Sequence, residues 1–279
     1  IKNKDIDVVY IALPNSLHEK YCIESIKNNK NILVEKPLTY STDSFAKIHA
    51  EFKQKNVLIE EGTSNKYHPF YNEVLQSLNK INFNEIKYIE SSFGNDALGG
   101  KKLFNFRFKR INHKKTLFNK NLYGGSILDG GIYPISLLID VFGFFNKDLS
   151  DCKILNCKKN ISKNIDIESS IELSIQGKLI RFKTSLINKL ENNFKIFTDN
   201  EEIVFENIFT INPDTMVKFK SGENIRLIKN SYSKTSYYYE IKEISNLIIN
   251  KNYNKKMINK NIFKIKNNNS LISKWFEYG

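Results

Sequence analysis

Short apolar runs alternate with amphipathic segments through the first sixty residues. Residues 8–13 form a continuous apolar run that ends at Pro14, and residues 32–34 repeat this pattern. Such runs are typical of strands that are buried on both faces of a parallel sheet. Residues 17–29 and 41–55 instead carry apolar side chains at helical spacing. The order strand, helix, strand, helix predicts a doubly wound parallel sheet, whose chemistry lies at the carboxyl ends of the strands.

The pattern changes after residue 80. Up to that point, residues 57–62 predict a third strand and residues 67–78 a helix. The segments that follow are a strand over 86–93, a long basic loop over 94–122, a helix over 124–142, alternating strands between 153 and 228, and helices over 237–249 and 271–278. Polar–apolar alternation is typical of an open antiparallel sheet with one covered face. We therefore expect a parallel βα domain over residues 1–80 and an α+β domain over residues 81–279.

The net charge of +13 raises the question of a nucleic-acid partner. Lys, Asn and Ile are abundant throughout the chain, so the basic excess does not form a patch. Arginine, the side chain that most often reads bases, occurs only as Arg107, Arg110, Arg181 and Arg226. The densest basic run, residues 251–274, is mixed with Asn and predicts a solvated surface or C-terminal segment. We expect no nucleic-acid partner, and strongly salt-dependent retention on DNA or RNA would contradict this expectation.

The cysteines and the hydropathy pattern bear on the compartment. Three cysteines fit a reducing environment, and Cys152 and Cys157 would face opposite sides of a strand. No Cys/His spacing resembles a metal site, so we expect no metal. No apolar run of membrane-spanning length and no signal-peptide pattern is visible. The expectation is a cytoplasmic protein without a membrane partner.

The first segment with candidate chemistry is Glu35-Lys36-Pro37, at the end of the second predicted strand. Pro37 keeps Lys36 out of the helical region, so that the side chain leaves the sheet edge at a fixed angle. Desolvation and a neighbouring cation would lower the pKa of this lysine and suit it to proton transfer near neutral pH. The alternative is a surface lysine at the start of a loop.

The second segment is the glycine-rich stretch from residue 124 to Pro134. Ser126 and Asp129 have the spacing of a capping box, which would start a helix at Ser126. Asp129 and Tyr133 are four residues apart and so share one helix face. The glycines at 130–131 weaken a helix and are tolerated where another backbone or a ligand comes close. Pro134 bends the helix or delays its regular part. The alternative is a glycine-rich turn into an ordinary core helix.

The third segment follows the first strand. Asn15 or Ser16 would cap the first helix, and His18 lies one turn into it. A histidine at this sheet edge could face a bound ligand, although such a residue more often caps or packs. His68 and His113 have no partner at an informative spacing.

Together, over about residues 5–142, these segments resemble the Gfo/Idh/MocA family of NAD(P)-dependent oxidoreductases. The matching motifs are Pro14-Asn15…His18, with Leu13 where threonine is usual, Glu35-Lys36-Pro37, Glu61-Gly62, Tyr67-His68-Pro69 and the stretch from Gly124 to Pro134. Several members have histidine where this chain has Tyr133. Tyrosine at that position is similar to the branch with dihydrodiol dehydrogenase, xylose dehydrogenase and glucose–fructose oxidoreductase.

The resemblance implies a fold and an activity. The fold is a partial Rossmann-like doubly wound parallel sheet, followed by an α+β domain with a large, open, mainly antiparallel sheet that serves as an oligomer interface. The activity is hydride transfer between NAD or NADP and a sugar or cyclic alcohol or carbonyl substrate. The implied catalytic residues are Lys36, Tyr133 and Asp129. The implied cofactor contacts are Leu13, Pro14, Asn15, His18, Glu35 and Lys36. The implied substrate contacts are Lys36, Arg107, Asp129 and Tyr133.

The chain departs from the family at its start. The twelve glycines contain no G-x-G-x-x-G, and residue 1 falls just before the family's fourth strand. We therefore expect a fragment of a longer enzyme, in which residues 8–13 become an exposed edge strand. The alternative is a non-catalytic binding or scaffold relative that has lost dinucleotide binding. NAD and NADP stay undistinguished, as do the substrate and the direction of the reaction.

Overall fold

The computed structural model describes residues 1–53, 55–103, 106–251 and 253–278, with the side chains of residues 99–110 left aside. Its first sheet has three parallel strands, β1 (Val8–Ile11), β2 (Asn31–Glu35) and β3 (Ile59–Gly62), in the order β1-β2-β3. Helices α1 (Asn15–Lys27) and α2 (Thr42–Phe52) connect these strands. The predicted parallel βα arrangement is therefore present.

Burial differs between the strands of this sheet because of their order. β2 lies between two neighbours and is buried along most of its length. β1 lies at the edge, where Val8 is 38% exposed and Tyr10 is 51% exposed. The prediction that residues 8–13 are buried on both faces is wrong, since only one side of β1 has a partner strand among the described residues. The prediction of an exposed edge strand in this segment is confirmed.

The two helices begin in different ways. The Ser41 side chain accepts a hydrogen bond from the backbone N–H of Ser44 and caps α2, which buries Phe45 and Ile48. The N-terminal cap position of α1 is Pro14, with no side-chain cap. The prediction of a cap at Asn15 or Ser16 is wrong because both residues already lie inside the helix.

The second part of the chain is built around a sheet of eight strands. A 3-10 turn (Ser64–Tyr67) leads into α3 (Pro69–Gln76), and α4 spans Ile132–Phe144. The strands of the sheet are β4 (Ile86–Gly94), β7 (Lys153–Ser162), β8 (Ile165–Ile175), β9 (Lys178–Ser185), β10 (Asn193–Thr198), β11 (Glu202–Glu206), β12 (Met216–Ser221) and β13 (Asn224–Lys229). Their order is β13-β12-β11-β10-β4-β9-β8-β7.

The pairing of these strands confirms the predicted open, mainly antiparallel sheet. Only the β4–β9 pair is parallel. Along β8, buried and half-buried residues alternate, and Ile171, Leu173 and Ile175 point into the core beneath α4. The polar–apolar alternation in the sequence therefore marks the face that the core covers.

Two segments differ from the sequence prediction. Part of the expected loop over 94–122 is a hairpin, β5 (Gly99–Leu103) paired with β6 (Phe106–Arg110). The last helix is also much longer than the predicted 271–278. After α5 (Ser236–Ile249), helix α6 spans Lys255–Glu277.

Helix α6 corrects the prediction that residues 251–274 form a solvated segment. Ile258 and Ile265 pack on the core of the three-stranded sheet. Leu271, Ile272 and Trp275 pack on the core of the eight-stranded sheet. The abundant Lys and Asn conceal one continuous buried stripe, so the composition of this segment was a poor guide to its burial.

The sequence analysis also missed a helical stretch of membrane-spanning length. Lys120–Phe144 is long and apolar enough to cross a membrane by length and composition alone. However, 78% of its most apolar window is buried inside the protein. This burial is what a core helix shows, and it accounts for the apolar composition.

Candidate active site

The site lies where β1 and β2 end at the same edge of the parallel sheet. The register pairs Ile11 with Val34 and Glu35 with Gly62, so the carboxyl ends of all three strands are level. A cleft of about 430 Å³ opens there. Its lining includes Leu13, Asn15, Lys36, Tyr123, Asp129 and Tyr237. The structure thus brings together segments that are more than two hundred residues apart in the chain.

Lys36 is held at the end of β2 by contacts from the glycine-rich stretch. Its ammonium donates to the Asp129 carboxylate at 2.9 Å and to the Asp129 backbone carbonyl at 2.6 Å. Its Nζ also lies 4.8 Å from the centroid of the Tyr133 ring, within cation–π distance. The Lys36 side chain is only 13% exposed, and the peptide bond between Lys36 and Pro37 is cis. Lys36 and Asp129, two of the implied catalytic residues, therefore form an ion pair.

The expected lowering of the Lys36 pKa is wrong. Burial alone lowers this pKa, but the negative charge of Asp129, together with Tyr133 and Glu35, outweighs it and raises the pKa above its usual value. The sequence could not give this sign, because it depends on the carboxylate that the fold places 2.9 Å away. At neutral pH Lys36 carries its proton.

Tyr133 holds its proton as well. Burial raises the pKa of its phenol, and the nearby Asp129 adds to this effect, while Lys36 opposes it. The ring packs edge-on against Phe93, with 5.1 Å between the ring centroids. Two proton donors, one cationic and one neutral, therefore lie side by side. Lys36 lines the cleft, whereas Tyr133 is not among its lining residues.

The backbone before Tyr133 is set by Asp166 rather than by a capping box. The Ser126 hydroxyl and the Ile127 backbone N–H both donate to the Asp166 carboxylate, at 2.8 and 2.7 Å. One turn of π-helix, Ile127–Gly131, then precedes the regular helix α4. The predicted Ser126 cap is wrong because the Ser126 hydroxyl donates to Asp166 of β8 instead of capping the helix. The predicted late start of the regular helix is confirmed.

The adjacent glycines of this turn allow close approach by protein side chains. A Cβ at Gly130 would lie 2.3 Å from the Thr184 hydroxyl oxygen, and one at Gly131 would lie 2.8 Å from the Trp275 ring. The Thr184 hydroxyl itself donates to the Ser126 carbonyl at 2.9 Å. The nearest groups that require glycine here are side chains of β9 and α6, and the Phe93 backbone carbonyl lies 3.4 Å from a Cβ at Gly130.

The residues after β1 have different roles. Leu13 is 39% exposed at the cleft, and the Asn15 amide donates to the Tyr123 carbonyl at 2.8 Å. His18 is fully buried, with its ring nitrogens 2.8 Å from the Leu13 carbonyl and 2.9 Å from the Pro37 carbonyl. We therefore correct His18 from a ligand-facing residue to one that ties the two loops of the site together.

Fewer contacts support the other residues predicted to bind the cofactor or the substrate, which are Pro14, Glu35 and Arg107. Pro14 and Glu35 both border the cleft, and the Glu35 carboxylate accepts a hydrogen bond from the Tyr10 hydroxyl. Arg107 belongs to β6, but its side chain lies outside the described part, so its substrate role stays a prediction.

Sequence reasoning missed two tyrosines that line the cleft. Tyr237 lies at the start of α5 and is 54% exposed. The Tyr123 ring stacks on Tyr40, with 3.6 Å between centroids. No local spacing connects these residues with Lys36.

Comparison with known proteins agrees with this geometry. Residues 1–63 match the model of an oxidoreductase family with an NAD-binding Rossmann fold, GFO_IDH_MocA. A trans-1,2-dihydrobenzene-1,2-diol dehydrogenase of Xenopus tropicalis is 28% identical over 141 residues, which is 50% of this chain and 38% of the relative. The scyllo-inositol 2-dehydrogenase (NADP(+)) IolU of Bacillus subtilis (strain 168) is 26% identical over 87% of this chain and 69% of the relative.

These matches support the Gfo/Idh/MocA oxidoreductase family for this chain, with a family model that covers residues 1–63. It spans well under half the length of the frog dehydrogenase that it matches. A solved structure shows a likeness in fold that continues beyond residue 63. KijD10, a 3-ketoreductase from Actinomadura kijaniata in complex with NADP and TDP-benzene, superposes with a TM-score of 0.80 at 18% identity, over 98% of this chain and 78% of that one. This likeness concerns the fold of both sheets.

Proposed function

We propose that this family member transfers a hydride between NAD or NADP and a sugar or a cyclic alcohol or carbonyl compound. The observation that carries the proposal is the Lys36 ammonium, held between Asp129 and the Tyr133 ring at the carboxyl end of β2. Relatives whose names are dehydrogenase or reductase support it. A non-catalytic scaffold role is not favoured, because a scaffold has no need for this buried proton-donor pair.

The cleft fits the nicotinamide end of a dinucleotide. Leu13 and Tyr237 offer partly exposed apolar surface, while Asn15 and Lys36 offer polar groups beside it. No glycine-rich pyrophosphate cradle occurs in the sequence. We therefore assign only the nicotinamide and its ribose to the residues after β1 and β2. A bound nicotinamide cofactor would supply or accept the hydride.

Lys36 and Tyr133 can donate the proton that a substrate carbonyl oxygen needs when its carbon receives a hydride. Both side chains hold their protons at neutral pH, since the pKa of each is raised. Two proton donors polarise a carbonyl oxygen and deliver the proton that follows hydride addition. In the reverse direction one of them must first lose its proton, which alkaline pH favours. The resting site therefore suits carbonyl reduction, with Asp129 orienting the lysine.

The remaining parts of the proposal concern partners and compartment. We infer that Arg107 contacts an acidic or phosphorylated part of the substrate, and that the open sheet joins copies of the chain into a homo-oligomer. We also infer a cytoplasmic enzyme without a membrane or nucleic-acid partner. These assignments follow from the family and from the composition of the chain.

The proposal is tested by deuterium transfer. The protein is incubated with NADPH or NADH deuterated at nicotinamide C4 and a panel of keto sugars and cyclic ketones, and the products are analysed by mass spectrometry. Lys36→Met should lower the transfer rate by about a hundredfold or more, as loss of general acid catalysis does. Tyr133→Phe should lower it by a smaller factor. Tyr88→Phe removes a hydroxyl from β4, at a residue that stacks on Phe197 and does not line the cleft, and should change nothing.

Two results would contradict the proposal. The first is the absence of deuterium in every product with both cofactors. The second is a Lys36→Met variant with a rate within a few-fold of the parent.

A further inference from the structure

The turn that follows Lys36 is held by the last helix of the chain. Helix α6 presents two adjacent asparagines, Asn268 and Asn269, which are 1% and 4% exposed. The Asn269 amide donates to the Thr39 hydroxyl at 2.5 Å and to the Thr39 carbonyl at 3.3 Å. One buried amide group thus binds two polar atoms of a residue three positions after Lys36.

Asn268 reaches the same turn through a carboxylate. Its amide donates to Oε2 of Glu61 at 2.8 Å. Oε1 of Glu61 accepts the backbone N–H of Leu38, also at 2.8 Å. Glu61 is 8% exposed at the end of β3, so it cannot turn to water instead. Two hydrogen bonds in series therefore connect α6 with the second residue after Lys36.

Simple packing does not explain these two asparagines. Asn268 Oδ1 is buried and has no hydrogen-bond partner in the part of the chain that the structure describes. A buried acceptor without a partner costs free energy, which an apolar side chain on α6 would avoid. What asparagine offers at both positions is the donor amide. Asn269 donates directly to Thr39 in the turn over residues 37–40. Asn268 donates to Glu61, which holds Leu38 of the turn, and lies 3.4 Å from the Ser136 hydroxyl.

The position of this turn bears directly on the site. Lys36 must place its ammonium 2.9 Å from the Asp129 carboxylate, which belongs to a different part of the chain. On the chain after Lys36, His18 holds the Pro37 carbonyl, and Leu38 and Thr39 are the next residues that hydrogen bonds from the rest of the protein hold. A displacement of about 1 Å at a catalytic group can reduce a rate by about a hundredfold.

We propose that Asn268 and Asn269 are positioning residues for Lys36. They fix the turn over residues 37–40, and thereby keep the Lys36 ammonium between Asp129 and Tyr133. This inference rests on the proposed function, because it assigns α6 to the same site.

Three consecutive asparagines allow a matched test. Asn268→Leu and Asn269→Leu remove the donors and keep most of the volume. Asn267→Leu is the control, since its half-buried side chain makes no hydrogen bond in the described part of the chain. The first readout is the rate at which acetic anhydride labels Lys36 between pH 7 and pH 10, followed by peptide mass mapping. The second is kcat and KM for hydride transfer.

Labelling of Lys36 should become about three- to tenfold faster in both variants. Each variant loses the hydrogen bond that the asparagine amide donates, so the turn over residues 37–40 loosens, and one hydrogen bond corresponds to about that factor in the accessibility of the Lys36 amine. The control should match the parent. Where hydride transfer is measurable, kcat should fall more than KM changes. Labelling of Lys36 at the parent rate in both variants would overturn the inference, whatever the activity.

The labelling readout separates the inference from the proposed function. Faster labelling in a protein without any hydride transfer would keep the inference about Lys36 and remove the proposed reaction. Parent-like labelling with normal hydride transfer would do the opposite. If the α6 variants fail to fold, Thr39→Val removes the acceptor hydroxyl from the turn and leaves α6 intact. Unchanged labelling of Lys36 in that variant would overturn the role of Asn269.

Discussion

At the scale of single residues, the chemistry of Lys36 depends on one neighbour. Burial works against the charged ammonium, and the Asp129 carboxylate more than compensates for it. The sign of the pKa shift is therefore a property of the pair. Because Lys36 holds its proton, it acts first as a donor, and the deprotonated amine appears only at alkaline pH.

This balance predicts the effect of Asp129→Asn. Without the carboxylate, burial dominates and the pKa of Lys36 falls, so the ammonium loses its proton at lower pH than in the parent. The alkaline limb of carbonyl reduction should move to lower pH, and kcat at high pH should fall by about tenfold for each unit of that move. The measurement is the pH profile of kcat.

Asp199→Asn serves as the matched control, because Asp199 pairs with Lys87 on the surface. A parent-like profile in the Asp129 variant would mean that the carboxylate does not control Lys36.

At the scale of elements, the turn over Ile127–Gly131 shows how far sequence reasoning reaches. The spacing of Asp129 and Tyr133 predicts that they share one helix face, and in the structure both side chains contact Lys36. The predicted capping box at Ser126 is absent, because the Ser126 hydroxyl donates its hydrogen bond to Asp166 instead. Asp166 lies forty residues away in the chain, and no local pattern announces it.

Two glycines near α4, one crowded and one in open space, should respond in opposite ways to substitution by alanine. At Gly130 an added Cβ would lie 2.3 Å from the Thr184 hydroxyl, so Gly130→Ala should destabilise the protein by about 1–3 kcal/mol. At Gly143, within the same helical region, nothing lies within 4 Å of an added Cβ. Gly143→Ala should therefore stabilise the protein by about 0.5–1 kcal/mol.

Urea unfolding followed by circular dichroism measures both variants in one experiment. Equal stability of the two variants would show that the contact with Thr184 does not set the geometry of the turn.

At the scale of the whole molecule, the open sheet keeps one face outside the core. Its exposed strands carry ion pairs, such as Arg181 with Glu172 at 2.9 Å and Lys218 with Glu206 at 2.7 Å. A polar face of this kind would associate through charge and hydrogen bonds rather than through apolar burial alone.

If the sheet is the interface of the homo-oligomer, Arg181→Glu should weaken association by about tenfold or more, because it places like charges beside Glu90 and Glu172. Sedimentation velocity over a range of protein and salt concentrations measures this effect. Lys256→Glu on the exposed side of α6 makes the same charge change elsewhere and should leave association unchanged. An equally weakened Lys256 variant would point to net charge rather than to the sheet.

The sequence by itself determined the order of strands and helices around β1 to β3 and the segments that carry the chemistry. It did so because apolar periodicity and turn residues act over a few positions. Only the tertiary structure decided the sign of the Lys36 pKa shift, the enclosure of His18 and the burial of the Asn-rich helix α6. Each of these depends on groups brought together from distant parts of the chain, and electrostatic and hydrogen-bond energies follow distance in space rather than in sequence.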